Sequence, residues 1–248
     1  GSDVAGLRTK AVRDGDDWVI NGAKMFITNG VYGDIFIVAA RTDPGAKGSR
    51  GISLFIVESG TPGFSVARKL DKHGWLCSDT AELVFEDVRV PAENLLGTEN
   101  RGFYAIMNTF ENERLCIGAM CAGESQKAIE LTLDYVRTRT AFGGTLWNLQ
   151  ATRQKLAELA GKAAAARALT YHAATQAEEG IDVSRDVSMI KAYAPEALHE
   201  IVHGCLQLHG GTGYMRGTPI ERMVRDARIL MIGGGATEVM YEEVAKRM

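Results

Sequence analysis

Three stretches of the chain hold residue types at spacings that could do chemistry. Residues 107–116, "MNTFENERLC", carry Glu111, Glu113 and Arg114 within one predicted helix. By helical period, Asn112 lies opposite the apolar stripe and Glu111 at its margin. Glu113, three residues after Phe110 and four before Ile117, falls on the stripe's edge, with Arg114 near its centre. A carboxylate facing a core must be paired, protonated or functional. Desolvation would raise its pKa toward the range that a general base at neutral pH needs. A structural Glu113–Arg114 pair within a helical bundle is the competing explanation.

The second stretch, "HEIVHGCLQLH" at 199–209, contains the HExxH spacing with a further histidine six residues on. A zinc peptidase would use His199, His203 and His209 as ligands and Glu200 as base. Leu206 stands where that pattern needs the glycine that lets the chain leave the helix. The apolar period continues through Cys205 and Leu208, so the helix is expected to continue and, at about 100° per residue, to turn His209 away from the other two. No metal site is expected here. The third stretch, "DARILMIGGGATEVM" at 226–240, sets Gly233, Gly234 and Gly235 between an apolar run and a new helix. It could cradle a ligand, but its one nearby acid is Glu238. The triplet Gly211–Thr212–Gly213 follows a helix and not a strand, so it is a weak dinucleotide signal.

The elements that must position these residues fall into two halves. From residue 1 to about 97, short segments rich in Val, Ile and Phe alternate with Gly, Pro, Asp and Asn, which predicts an antiparallel sheet or barrel. From 98 to 248 the period is helical. One stripe holds Phe103, Ile106, Met107, Phe110, Ile117 and Cys121, a second Leu156, Leu159, Ala163 and Ala166, and a third Val187, Ile190, Ala194, Ala197, Ile201, Cys205 and Leu208. Breaks are expected at Phe142–Gly144, Gly180 and Gly210–Gly213, giving three long helices and a shorter C-terminal pair. The expected class is α+β: an antiparallel β-barrel-like domain followed by a four-helix bundle.

Lys plus Arg total 28 against 31 Asp plus Glu, a balance with no basic footprint for nucleic acid and no cationic face for a membrane. No apolar run is long enough to span a bilayer, and no targeting segment is visible. Cys77, Cys116, Cys121 and Cys205 form no CxxC pair and read as reduced core thiols of an intracellular protein. The chain opens on Gly1 without a methionine, as a fragment or processed product would.

Along its whole length the sequence resembles the acyl-CoA dehydrogenase family. "GSDVAGLRTKA" looks like the close of that family's T-E-P-x-A-G-S-D segment, and "GAKMFITNG" is similar to its G-x-K-x-[WF]-I-T-N-[GA] strand. "TAELVFEDVRVPAENLLG" resembles the end of the middle β domain. "RTRTAFGGTLWNLQ", "LQLHGGTGY" and "DARILMIGGGATEVM" follow in the family's order. The resemblance implies a middle β domain and a C-terminal bundle, with the family's N-terminal helical domain lying ahead of Gly1. It implies FAD-dependent α,β-dehydrogenation of an acyl-CoA thioester to the trans-2-enoyl-CoA. In many relatives the base is the glutamate of an E-G-T triplet, a position occupied here by Gly234. The isovaleryl-CoA and long-chain branches place it in an E-R-L context, which here is Glu113–Arg114–Leu115. Glu113 is therefore the expected catalytic base, kept ionised by Arg114.

The same resemblance implies that a backbone N–H at Gly234 holds the thioester carbonyl, with Gly235 permitting close approach. It puts Ser2, Glu111 and Arg114 on the substrate side. Phe26, Ile27 and Thr28 would meet the flavin, and Ser2 its pyrophosphate. Arg139, Phe142, Gln150, Gln207, Gly210 and Gly211 would reach a neighbouring subunit's FAD, and Thr237 and Glu238 would lie near the adenosine end. Ala236 replaces the usual threonine there. A homotetramer, an electron-transferring flavoprotein as acceptor, and a bacterial cytoplasmic or mitochondrial matrix location complete the implied picture. An acyl-CoA oxidase, or a non-catalytic assembly fragment, are the alternatives.

Overall fold

The computed structural model describes residues 2–248. It comprises two compact units, one running to Thr109 and one from Phe110 to Met248.

The first unit is built on a seven-stranded sheet. Its strands are β1 (Lys10–Asp14), β2 (Asp17–Thr28), β3 (Ile35–Arg41), β4 (Ile52–Glu58), β5 (Phe64–Lys69), β6 (Thr80–Pro91) and β7 (Leu95–Leu96). They lie in the order β5-β6-β2-β1-β3-β4-β7. All pairings are antiparallel except β1 with β3, which run parallel through Lys10 and Arg41. That one pairing departs from the purely antiparallel expectation. The alternation of apolar and polar residues aims Trp18, Ile20, Phe36, Val38, Phe55, Val57, Leu83 and Phe85 at a common core. Strands stand about 4.8 Å apart, so β3 and β5, four places apart in the order, would be nearly 20 Å apart in a flat sheet. The rings of Phe36 and Phe64 are instead 4.9 Å centroid to centroid. The sheet therefore curls on itself around its aromatic core, barrel-like as expected.

The second unit is helical. It contains most of α1 (Gly102–Thr138), then a hairpin of β8 (Thr140–Ala141) and β9 (Gly144–Thr145). After it come α2 (Gln150–Glu178), α3 (Ser184–Tyr214), α4 (Pro219–Ala227) and α5 (Thr237–Ala245). Three helices are long and two are short, as the predicted breaks require. Within this unit α1 and α3 run parallel, because their contacts climb together. Glu111 meets Ser184, Arg114 meets Ser188, and Tyr135 stacks on His209. The helix α3 is the most buried element, hiding Val187, Ile190, Ala194, Ala197, Ile201 and Cys205 as its period requires. It runs unbroken to His209, and Gly210 (φ 59°, ψ −142°) turns it.

Two expectations change. The buried face of α1 is centred on Gly118, Cys121, Ser125, Ala128, Thr132 and Val136, a row that small and polar residues conceal from a hydrophobic count. Of the four cysteines only Cys121 and Cys205 are buried; Cys77 and Cys116 are exposed.

Gly118 lets α1 approach its neighbours closely. A Cβ at this position would overlap Ile190 Cγ2 and lie 2.9 Å from Thr170 Oγ1. Gly118→Ala is expected to destabilise the helical unit by about 1–3 kcal/mol despite its higher helix propensity. Denaturant unfolding followed by helical circular dichroism measures it; a stabilised variant would refute this packing.

Candidate functional site

The glycine loop between Met231 and Thr237 belongs to the helical unit and is shaped by one buried cation. Lys191, two turns into α3, is 0 % exposed. Its ammonium donates to the carbonyl oxygens of Leu230 at 2.7 Å and Gly235 at 2.6 Å. The loop must bend back to offer both, and it does so through Gly234 (φ 69°) and Gly235 (φ 114°), values that suit glycine. Thr237 closes the other end, its buried hydroxyl donating to the Met231 carbonyl at 3.4 Å. Among the described residues no acceptor takes the N–H of Gly234 or Gly235. Two successive unpaired N–H donors on a strained turn are what a carbonyl oxygen gaining negative charge requires.

The glutamate of α1 stands close by along the helix. Ile117, one turn beyond Glu113, packs so tightly on the loop that a Cβ at Gly234 would come 2.9 Å from its Cδ1. Glu113 itself is exposed, one position off the buried row, so it does not lie on the edge of a core-facing stripe. Nor does it pair with Arg114. The Arg114 guanidinium is half-buried, reaches Ser188 Oγ at 3.5 Å, stacks 5.6 Å from the Phe110 ring centre and leaves its Nε without a partner. Burial draws its pKa down. Glu111 is bonded to the Ser184 hydroxyl, beside a cleft of about 520 Å³ that Leu115, Ile181 and Asp182 also line.

The residues assigned to the flavin fall in both units. In the first unit, the register of β2 against β6 shifts between Lys24 and Ile27, leaving Met25 and Phe26 as a bulge. Phe26 adopts φ 60°, a costly conformation for an aromatic residue, and is 75 % exposed. Ile27 is half-buried, and Thr28 and Ser2 are exposed. An exposed, strained aromatic suits stacking on a planar ring system such as isoalloxazine. In the second unit Phe142 repeats the device at the tip of the β8–β9 hairpin, with φ 53° and 91 % exposure. Arg139, Gln150, Gln207, Gly210, Gly211 and Glu238 are all exposed. The Tyr135 hydroxyl donates to the His209 carbonyl at 3.2 Å, tying the end of α1 to the turn at Gly210.

A cationic cleft went unread in the sequence. In the first unit the Arg41 guanidinium gathers the 46–50 loop by donating to the carbonyls of Ala46, Gly48 and Arg50, and to that of Ala5. Thr42 bonds Asn100 at 2.7 Å. Together these bonds bring Lys47, Arg50 and Arg101 around a cleft of about 600 Å³, a setting for phosphate groups. No local spacing signals it, because Arg101 is far along the chain from the other two.

The histidine stretch is engaged otherwise. His203 Nδ1 bonds the His199 carbonyl at 2.8 Å, whereas His209 meets Thr132 Oγ1 at 3.2 Å and stacks on Tyr135. No group of three or more metal-ligating side chains occurs among the described residues. No described helix is long and apolar enough to cross a membrane.

Comparison with known proteins matches residues 1–88 to "acyl-CoA dehydrogenase, middle domain" and residues 100–248 to "acyl-CoA dehydrogenase, C-terminal domain". The chain belongs to the acyl-CoA dehydrogenase family. It is 45 % identical to the long-chain specific acyl-CoA dehydrogenase of Sus scrofa mitochondria, over all of this chain and 58 % of that protein. It thus spans little more than half of the curated relative's length. The acyl-CoA dehydrogenase of Geobacillus kaustophilus superposes at a TM-score of 0.97 with 42 % identity, across all of this chain and 65 % of that one. A glutaryl-CoA dehydrogenase of Mycobacterium smegmatis, solved in complex with FADH2, superposes at 0.91 with 31 % identity, across all of this chain and 62 % of that one.

Burial holds the Lys191 pKa down at about 8, from 10.5 in an unfolded chain. Between those values the unfolded state binds more protons, so Lys191's contribution to stability rises with pH through that window and is flat below it. Relative to Lys191→Met, the wild type is expected to gain on the order of 3 kcal/mol from pH 8 to 10.5. Denaturant unfolding across that range measures it; a difference independent of pH would contradict the buried cation.

Proposed function

We propose that this chain forms the flavin and thioester site of an acyl-CoA dehydrogenase, which oxidises a saturated acyl-CoA to the trans-2-enoyl-CoA. The observation that carries the reading is the pair of unpaired N–H groups on Gly234 and Gly235, packed against the helix that bears Glu113. A proton on the carbon next to a thioester is a weak acid, so the carbonyl must be polarised as that proton leaves. The glycine loop supplies donors for the carbonyl oxygen, and Glu113 takes the α-proton onto its carboxylate. Bound FAD would supply the acceptor for the β-hydride. Phe26 would pack on its ring system with Ile27 and Thr28 alongside and Ser2 near its pyrophosphate, whereas Arg139, Phe142, Gln150, Gln207, Gly210 and Gly211 would reach a neighbouring subunit's FAD, with Glu238 near the adenosine end. Thr237 acts through the loop it braces. Glu111 and Arg114 line the substrate's path, and Lys47, Arg50 and Arg101 suit the phosphates of coenzyme A. The exposed strained aromatics support a planar cofactor; a homotetramer and an electron-transferring flavoprotein as acceptor belong to the same proposal.

Titration of the flavin-loaded protein with saturated acyl-CoAs under anaerobic conditions tests this reading. The visible flavin band is expected to bleach in the wild type. Glu113→Gln is expected to retain FAD and reduce it at least about 10³-fold more slowly, the scale of a lost general base. Reduction of the variant at near wild-type rate would remove Glu113 from the mechanism.

A further inference from the structure

The glycine loop depends on a residue outside it. Around Lys191 the α3 residues Val187, Ser188, Ile190, Ala192 and Ala194 are all buried. From α1 the Cys121 thiol and the Arg114 guanidinium are the two titratable or charged groups that act on it electrostatically. Burial pushes the Cys121 thiol up to about 12, so it stays neutral and does not pair with the ammonium. Among the described residues no carboxylate acts on Lys191. The positive charge is instead satisfied by the two carbonyls of Leu230 and Gly235, which flank the loop.

A buried ammonium of this kind costs stability that an apolar residue would not. Two carbonyls 2.6–2.7 Å from a cation, on a turn with two left-handed glycines, make a device for holding that turn. The stem takes part as well, since a Cβ at Gly234 would lie 3.5 Å from Lys191 Cε. Gly234 thus rests on the aliphatic part of Lys191 while the ammonium draws the next carbonyl inward.

We infer that Lys191 is a positioning residue for the thioester: by clamping the carbonyls of Leu230 and Gly235 it sets the peptides of Gly234 and Gly235 so that their N–H groups stay unpaired and available to the substrate carbonyl. The inference rests on the acyl-CoA reading of this site. The positive charge beneath the turn also favours negative charge arriving on the oxygen those donors hold.

Two measurements on Lys191→Met, which keeps the apolar stem and loses the donors, test it. The first is amide hydrogen exchange over residues 229–237, which needs neither cofactor nor substrate. Faster exchange confined to this loop, on the order of tenfold for the loss of charge-assisted hydrogen bonds, is the expected result. The second compares binding of a trans-2-enoyl-CoA thioester with an S-alkyl-CoA thioether of equal length, read from the absorption of the flavin-loaded protein. The thioether has no carbonyl and should bind both proteins alike, whereas the thioester should lose about tenfold in affinity for the variant. A folded variant with wild-type loop exchange and an unchanged thioester-to-thioether ratio would overturn the inference.

If Lys191→Met does not fold, the wild type decides. Loop exchange corrected for intrinsic rate, followed from pH 7 to pH 9.5, should slow, because opening the loop hydrates Lys191 and so favours its protonated form. A flat profile would overturn the clamp. If no acyl-CoA reduces the flavin of the wild type, the acyl-CoA reading fails, and the exchange results still judge Lys191 separately.

Discussion

A full positive charge inside a helical bundle has to be answered, and in this protein it is answered by backbone. The Lys191 ammonium takes the carbonyls of Leu230 and Gly235, and every nearby feature follows from that requirement. The chain between them must double back within a few residues, which explains why glycines stand at 234 and 235 with positive φ. Their own N–H groups find no acceptor among the described residues, whereas the N–H groups just before them, at Ile232 and Gly233, both reach the Ile229 carbonyl. Thr237 and Met240 then lock the exit of the loop into α5: the former bonds Met231, and the latter fills the space where a Cβ on Gly235 would sit. Thus the donors of the candidate site are a by-product of how one cation was buried.

Much of the architecture was legible because period and punctuation carry it. The strands alternate, the long helices keep their stripes, and Gly180 and the Phe142–Gly144 turn fall where the helices end. The stripe of α3 was read nearly residue for residue, yet the most consequential member was passed over. Lys191 stands four residues after Val187 and three before Ala194, squarely on the buried face. A hydrophobic count skips a lysine there, although the reasoning that made Glu113 conspicuous applies to it with greater force. On α1 the same count erred the other way. It followed Phe110 and Ile117, whereas the buried row runs through Gly118, Ser125 and Thr132, whose smallness lets helices approach. Glu113 drew notice for a burial it does not have, and its case as a base now rests on resemblance and on the neighbouring loop.

What no local pattern could supply was strain and assembly from distant parts. The resemblance singles out Phe26 and Phe142, but only the backbone shows that each bulky side chain is held at positive φ and exposed. Apolar area of that kind is unfavourable in water and is retained where something planar covers it. The cationic cleft likewise depends on Arg41, a residue that contacts no ligand in this reading but collects four carbonyls from separate places. Folding, not spacing, creates the constellation.

The contact between Ile117 and Gly234 has a bearing on how such sites change over time. The resemblance puts a catalytic glutamate in many relatives at position 234, where this chain has no side chain and where Ile117 Cδ1 already occupies the room for one. A carboxylate arriving at 234 meets that methyl group, and on the proposed reading one lost from 113 leaves the loop's donors without a base. Moving the acid–base group from helix to loop therefore asks the Ile117 methyl, the far end of a flexible side chain, to turn aside, and it sets a side chain on backbone at φ 69° that suits glycine. On the proposed reading, that backbone strain at 234 would keep the two arrangements apart in separate lineages of one fold.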